Sequence, residues 1–280
     1  MVPSSFVLNC AGRPLSLATP VVMGILNITP DSFYDGGCFT NRVDQLKQVE
    51  KMISEGASII DIGAISTRPG ASAVSEKEEL SRLLPVLLAV EGHFGEVIVS
   101  VDTYSSKVAK AAIEHGAMMI NDIYGGRFDG KMFNLVAKHN IPYVMMHMQG
   151  KPDNMQINPH YKDVVQEVTK FFTDQLEKLP KGFNQVILDP GFGFGKTVEN
   201  NFTLLNELET FKTAGYPLLA GLSRKSMITR VLKIKPIEAL NGTTVLNTIA
   251  LLKGANILRV HDVKPAMEAI RLVEFENLKI

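Results

Sequence analysis

Eight times along this chain, a short apolar run ends in a polar side chain, then gives way to a loop and an amphipathic helix. The runs are residues 21–26, 58–62, 97–101, 118–120, 142–146, 185–188, 217–222 and 256–260. They are short and nearly uncharged, which predicts parallel strands buried on both faces. The spacing predicts helices over 43–55, 76–92, 105–115, 131–139, 158–179, 198–214, 236–253 (after a shorter one) and 265–278. Local signals support several boundaries. Ser75 with Glu78 has the capping-box pattern, Gly116 is placed as a C-cap glycine, and Asn158-Pro159 reads as an N-cap followed by proline at the first helical position. Eight such units are the number that closes a parallel barrel. The predicted fold class is therefore α/β, a single (β/α)8 TIM barrel over residues 1–280. An open doubly wound sheet would need a topological break, and no linker or composition shift marks one. Residues 1–19 precede the first barrel strand and are expected to form an N-terminal β-hairpin cap, 6–17, turned at Gly12-Arg13-Pro14.

In such a barrel the carboxyl ends of the strands converge on one face. Asn27, Asp61, Asp102, Asn121, His147, Asp189, Lys225, Arg259 and His261 would then surround one pocket. The first strand opens onto a polar loop in which Pro30 and Gly36-Gly37 forbid a regular element. That loop carries Asp31, Asp35, Phe33 and Tyr34. A carboxylate facing a flat heterocycle can accept two parallel N–H bonds, and Asp102, Asn121 and Asp189 offer such acceptors together with an amide. Arg68, Lys225, Arg259 and His261 supply positive charge suited to a phosphate or carboxylate. The set fits a small molecule with a polar ring at one end and an anion at the other.

Structural readings stand beside these. Asp61, inside an apolar run, suits a hydrogen-bonded barrel-interior carboxylate. His147 suits a core or loop anchor as well as a ligand contact. Asp102 and Asp189 also read as helix caps. Gly191, Gly193 and Gly195 lack phosphate-loop spacing and read as a tight turn. Lys196 reads as a solvated surface charge, and Met145, Met146 and Met148 as packing residues. A formal net charge of zero, without long runs of either sign, argues against a nucleic-acid or membrane-surface binder. Cys10 and Cys38 have neither disulfide nor metal spacing, which suits reduced thiols in a cytoplasmic protein. No secretion signal or membrane-spanning run is legible.

The motifs add a resemblance. Residues 24–37, Ser66-Thr67-Arg68-Pro69-Gly70, Ser100-Val101-Asp102-Thr103 and Asn121-Asp122-Ile123 with Gly125-Gly126 resemble motifs of the dihydropteroate synthase family. So do His147-Met148-Gln149-Gly150, Asp189 through Lys196, Ser223-Arg224-Lys225-Ser226 and Arg259-Val260-His261-Asp262-Val263. The likeness runs in order over nearly the whole chain. One departure is visible: Ala64-Ile65 stand where the family usually has Gly-Glu, which questions a role for that glutamate in holding the second loop.

The resemblance implies a reaction: p-aminobenzoate joins the exocyclic methylene carbon of 6-hydroxymethyl-7,8-dihydropterin diphosphate, displacing pyrophosphate by a dissociative route. It implies that Asp102, Asn121, Asp189 and Lys225 hold the pterin ring, with Thr67 also binding substrate. Asn27 would hold Mg2+ on the diphosphate, and Arg259 and His261 the diphosphate itself. Phe33, Pro69, Phe194 and Ser226 would shape the p-aminobenzoate pocket. Asp35 and Arg68, ordering two loops over the site, are the expected catalytic residues together with Asp102 and Lys225. A homodimer is expected, with helix 239–253 as a candidate face. Two other readings remain: a pterin-barrel methyltransferase acting on methyltetrahydrofolate, which needs no diphosphate site, and a non-catalytic pterin-binding scaffold, which would not need the intact first loop.

Overall fold

The computed structural model describes residues 6–29, 41–65, 74–152 and 154–277. Strands β1 (Val7–Cys10) and β2 (Arg13–Ser16) form an antiparallel hairpin. Its turn falls at Ala11-Gly12 instead of Gly12-Arg13-Pro14. Both turn residues have positive φ, 52° and 91°, which matches the twist of a two-residue hairpin. Asn9 Oδ1 accepts the Gly12 N–H at 2.8 Å, so the turn is fixed by the side chain that precedes it.

The barrel strands are β3 (Val21–Asn27), β4 (Ile59–Gly63), β5 (Ile98–Asp102), β6 (Met119–Asp122), β7 (Tyr143–Met146), β8 (Val186–Asp189), β9 (Leu219–Ala220) and β10 (Ile257–Val260). They pair in parallel in the order β8-β7-β6-β5-β4-β3-β10-β9. A bridge between Leu188 and Leu218, with the Leu188 N–H donating to Pro217 O at 2.9 Å, brings the two ends together. Helices α1 (Arg42–Ser54), α2 (Glu76–His93), α3 (Ser106–Glu114), α4 (Met132–His139), α5 (Val164–Leu176), α6 (Val198–Asn206), α7 (Ser226–Leu232), α8 (Leu240–Leu252) and α9 (Val263–Asn277) alternate with them. The expected barrel and hairpin are both present.

Several boundaries differ from expectation. The helix expected at Asn158-Pro159 begins only at Val164. Asn158 adopts φ 49°, outside a helical start, and Asp163 Oδ1 caps the helix by accepting from Val165 and Gln166 N–H, each at 3.0 Å. The 198–214 segment divides into α6 and a 3-10 helix, Leu208–Ala214. Likewise a 3-10 turn, Pro236–Glu238, precedes α8. Regular pairing in 217–222 is confined to β9. Of the capping box only the serine half forms: Ser75 accepts the Glu78 N–H at 3.2 Å while the Glu78 carboxylate pairs with Arg82, and Gly116 takes φ 99° after α3 as a C-cap glycine should.

The strands sort their side chains by the two-residue period. One set, including Val22, Ile60, Ile62, Val99, Ile120, Tyr143, Leu188 and Leu258, packs against the helices. The other set faces inward. Met23, Ile59, Ile98, Met119, Val144, Ile187, Leu219 and Ile257, one from each strand, form an apolar floor. Leu8, Cys10, Leu15 and Leu17 of the hairpin segment close it from below. Fully burying each such side chain contributes roughly 1.5–3 kcal/mol. Two residues further along the strands, the inward positions include Asp61, Ser100, Asn121, Asp189 and Arg259, all but Arg259 buried. Polarity therefore switches from apolar to charged within one layer of the barrel, and the floor keeps the charged layer in register.

Candidate active site

The charged layer is built around one cation. Asp61 on β4 is fully buried, and its Oδ2 accepts from Asn121 Nδ2 at 2.9 Å and from Arg259 Nε at 2.7 Å. Arg259 Nη2 donates to Asp102 Oδ2 at 2.8 Å. The guanidinium thus spans acids from two adjacent strands. Asp61 Oδ1 has no hydrogen-bond partner among the described residues. Burial pushes the Asp102 carboxyl up to about 7; Arg259 opposes this, while Asp61 and Glu79 add to it. Burial also works against the Arg259 charge, but Asp61 and Asp102 prevail and hold its pKa above the ordinary value.

Neither Asp102 nor Asp189 caps a helix. Ser105 caps α3 and Thr197 caps α6. Asp189 instead turns the chain after β8, its Oδ1 accepting the Gly191 N–H at 2.7 Å. Its pKa is raised by burial, against the pull of Lys225. Burial lowers Lys225 to about 8, with Asp189 opposing and Arg259 assisting. Lys225 Nζ donates to Phe192 O and lies 4.9 Å from the centre of the Phe194 ring.

A cavity of about 290 Å3 opens at the carboxyl end of the barrel. Of the residues expected at the site, Asn27, Asp102, Phe194, Lys225, Ser226, Arg259 and His261 line it. Asn121 and Asp189 lie buried in the layer beneath, at 3% and 5% exposure. Phe33, Asp35, Thr67, Arg68 and Pro69 fall outside the described residues, as does Cys38. His261 is oriented by Ser223, whose Oγ accepts its backbone N–H at 3.2 Å and lies 3.0 Å from Nδ1. A bidentate pair, Arg224 to Asp262 at 2.9 and 2.7 Å, ties the loop after β9 to the end of β10. Cations dominate the mouth, and acids dominate the layer below.

The glycine-rich segment is a turn, as its spacing suggested, but a tightly held one. A Cβ on Gly191 would lie 1.9 Å from His147 O, and one on Gly195 2.4 Å from Gln149 O. Only glycine permits those approaches. Lys196 is not a surface charge. It is 3% exposed, and its Nζ donates to the carbonyls of Gly191, Phe194 and His147 at 2.9, 3.0 and 3.3 Å. His147 behaves as an anchor: its ring meets Phe171 edge-on at 5.0 Å, and burial, with Lys196 and Arg127 nearby, lowers its pKa to about 2. Met145, Met146 and Met148 are packing residues. Sequence reasoning missed Glu79, whose buried carboxyl is raised to about 7 by burial. It also missed Met155, Gln156 and Arg230 on the cavity wall. A buried acid in the first turn of an amphipathic helix has no marker in sequence, whereas Met155 and Gln156 lie in a loop whose length (148–157) was legible.

A family model described as pterin binding enzyme matches residues 23–261. The dihydropteroate synthase of Escherichia coli (strain K12) is 46% identical over 266 residues, 94% of each chain. That of Haemophilus influenzae is 47% identical over 262 residues, 92% of this chain and 94% of the relative. Among solved structures, a Yersinia pestis dihydropteroate synthase with a sulfonamide drug complex superimposes with TM-score 0.93 at 44% identity, covering 97% of this chain and 99% of the other. A Xanthomonas albilineans dihydropteroate synthase with 4-aminobenzoic acid gives TM-score 0.89 at 39% identity, covering 98% and 99%.

Proposed function

The chain belongs to the pterin-binding enzyme family, among its dihydropteroate synthases, and on that premise we propose how this site works. The reaction is transfer of the pterin methylene group from 6-hydroxymethyl-7,8-dihydropterin diphosphate to p-aminobenzoate, giving 7,8-dihydropteroate and pyrophosphate for folate biosynthesis. The observation that carries the assignment of subsites is the stacking of a cation-lined cavity on a buried acid and amide layer. A pterin is a flat ring rich in N–H donors, which suits Asp102, Asn121 and Asp189. Its diphosphate suits the mouth, where Arg259 and His261 stand. A guanidinium has five N–H donors; two of those on Arg259 are committed to Asp61 and Asp102, and among the described residues the others are left for an anion.

In the proposed reaction the bond between the methylene carbon and the diphosphate oxygen breaks, and its electron pair departs on pyrophosphate. The amine nitrogen of p-aminobenzoate then bonds to that carbon and releases a proton. An aromatic amine is a weak nucleophile, so stabilising the leaving group matters more than activating the attacker. Asp102, when ionised beside the ring, favours the positive charge that develops there. Arg259 and His261 hold the departing anion. Phe194 and Ser226 border the amine subsite, with Phe33 and Pro69 from the first two loops expected as its other walls. Ile65, where the family usually has glutamate, lines the cavity as an apolar group, so any ordering of the second loop falls to other residues, with Arg68 and Asp35 as candidates.

Mg2+ fits Asn27. The amide is a hard oxygen donor on the cavity wall, and no cluster of three or more metal-binding acids, histidines or cysteines occurs among the described residues. A single protein ligand, completed by waters and substrate phosphates, is the way Mg2+ is commonly held. When bound there, Mg2+ supplies charge neutralisation to the leaving diphosphate. Lys225 and Asp189 hold each other's charge next to the ring subsite.

A homodimer is the expected assembly. Val231, Leu232, Val245, Leu252 and Leu272 on α7, α8 and α9 are exposed apolar side chains that support a docking face there, and sedimentation would test it. No described helix is long and apolar enough to cross a membrane, and a cytoplasmic location is proposed with the folate-pathway role. Turnover tests the whole reading. Purified protein with pterin diphosphate, p-aminobenzoate and Mg2+ should release pyrophosphate and form dihydropteroate. Methyl transfer from methyltetrahydrofolate without synthase turnover would favour the methyltransferase, and ring binding without turnover a scaffold.

A further inference from the structure

Lys196 is a deeply buried cation that the proposed chemistry does not use. No carboxylate among the described residues pairs with it; its partners are three neutral backbone carbonyls. Burial holds its pKa well below that of an ordinary lysine, although Asp189 pulls the other way. Burying an ammonium in this way costs stability that an apolar side chain of similar length would not. Its value must lie in what it holds in place.

What it holds is the turn between the two halves of the site. The carbonyls of five successive residues, Gly191 to Gly195, each receive a side-chain donor. Lys225 takes Phe192, Gln156 takes Gly193, and Tyr161 takes Gly195 at 2.9 Å. Lys196 alone takes two of them, Gly191 and Phe194, and adds His147 O at the end of β7. It therefore closes the neck of the turn and fastens it to the neighbouring strand. At one end of this turn stands Asp189, which is also held by β8 itself and by the His147 N–H donating to its carbonyl at 3.0 Å. At the other end Phe194 lies beyond any strand and faces the cavity.

We infer that Lys196 is a positioning residue for the amine subsite: its ammonium clamps the 191–195 turn so that Phe194 presents its ring to p-aminobenzoate at a fixed distance from the pterin subsite. This rests on the reading that p-aminobenzoate lies against Phe194. The clamp bonds the turn directly, whereas Asp189 feels it only through the charge of Lys196 and through the shared Gly191, so the two substrates respond to its loss to different degrees.

The test is Lys196→Met, which keeps the length and apolar stem and removes the N–H donors. The KM for p-aminobenzoate should rise about tenfold, the scale of a lost charged hydrogen bond, and the KM for pterin diphosphate clearly less. Amide exchange in residues 191–195 should quicken while that of α6 stays the same. An unchanged p-aminobenzoate KM, or equal rises for both substrates, would overturn the inference, because a general loss of structure moves both. Should Lys196→Met fail to fold, Lys196→Ala is assayed with propylammonium, which restores the donors, and with tetramethylammonium, which has none. Selective recovery of the p-aminobenzoate KM by propylammonium supports the clamp, and equal effects of the two ions refute it. If the wild-type protein shows no synthase turnover, the functional reading fails, and amide exchange alone judges the clamp: unchanged exchange at 191–195 in the variant overturns it.

Discussion

Asp189→Asn separates the two tasks of one carboxylate. Oδ1 accepts the Gly191 N–H at 2.7 Å and shapes the turn, while Oδ2, without a partner among the described residues, is left for a ligand. Asparagine keeps an oxygen for Gly191, because the opposite orientation would set its amide hydrogens against that N–H. The turn should survive. The ligand side changes from a charged acceptor into a donor, facing ring N–H groups that also donate. The loss is one charge-assisted hydrogen bond, about 1.5–3 kcal/mol. That corresponds to about a tenfold to a hundredfold weaker Kd for a pterin. Lys225, already lowered to about 8, loses the carboxylate that supported its charge and should titrate lower still. Asp189→Ala is the control: it also strands the Gly191 N–H and should cost a further 1–3 kcal/mol or so of stability. Calorimetry with a pterin, alongside urea melts, reads both effects. Unchanged pterin affinity in folded Asp189→Asn would refute the ring-binding role, and equal stability losses in the two variants would refute the division of labour.

Asn27→Ala should raise the Mg2+ concentration needed for half-maximal turnover, and an unchanged Mg2+ dependence would remove that ligand. Phe33→Ala should weaken p-aminobenzoate more than pterin. If two loops complete the amine pocket only after the diphosphate binds, a sulfonamide should bind better with pterin, pyrophosphate and Mg2+ present, since ordering those loops costs entropy; equal affinity in both titrations would mean a preformed pocket. Arg259→Ala should cost about 3–5 kcal/mol near neutral pH, because it strands Asp61 and Asp102 in the barrel. Asp102, at about 7, then moves higher; a carboxyl raised in this way favours folding below its unfolded pKa and loses that contribution as pH rises through the folded value, so the deficit should shrink in acid, and a pH-independent deficit in urea melts would refute it.

The architecture was legible because barrel strands announce themselves. Residues such as Ile59 and Ile60 face opposite sides yet are both apolar, which only a sheet covered on both faces requires. The interior role of Asp61 followed from the same apolar run. Other features depend on contacts that no local pattern encodes. Lys196 follows glycine and phenylalanine, a setting that reads as solvent; its burial comes from the return of the turn onto His147, 49 residues away. Arg259 was visible as a cation at a strand end, but its acids lie on β4 and β5, far along the chain. The helix start was misplaced because Asn158 and Asp163 are both competent caps; Asn158 takes φ 49°, and the chain uses the second.

The position of Arg259 also bears on how the ring gains entry. A rigid barrel can set Asp61, Asp102 and Asp189 around Asn121, but it cannot bury three acids without nearby positive charge. Two of the cations that answer them, Arg259 and Lys225, come from β10 and the loop after β9, at the border of the cavity. Arg259 occupies an oxygen of Asp102, and one N–H of Lys225 goes to the Phe192 carbonyl. A pterin that donates to Asp102 and Asp189 would take over part of what these cations supply. Its diphosphate would give them a new anion at the mouth. A ring lacking the diphosphate would compete for the acids without offering the cations anything in return, so the two ends of the substrate should bind with mutual help. Comparing the affinity of a pterin alone, pyrophosphate alone and the two together measures that coupling directly, and strictly additive binding free energies would mean that Arg259 and Lys225 do not change partners.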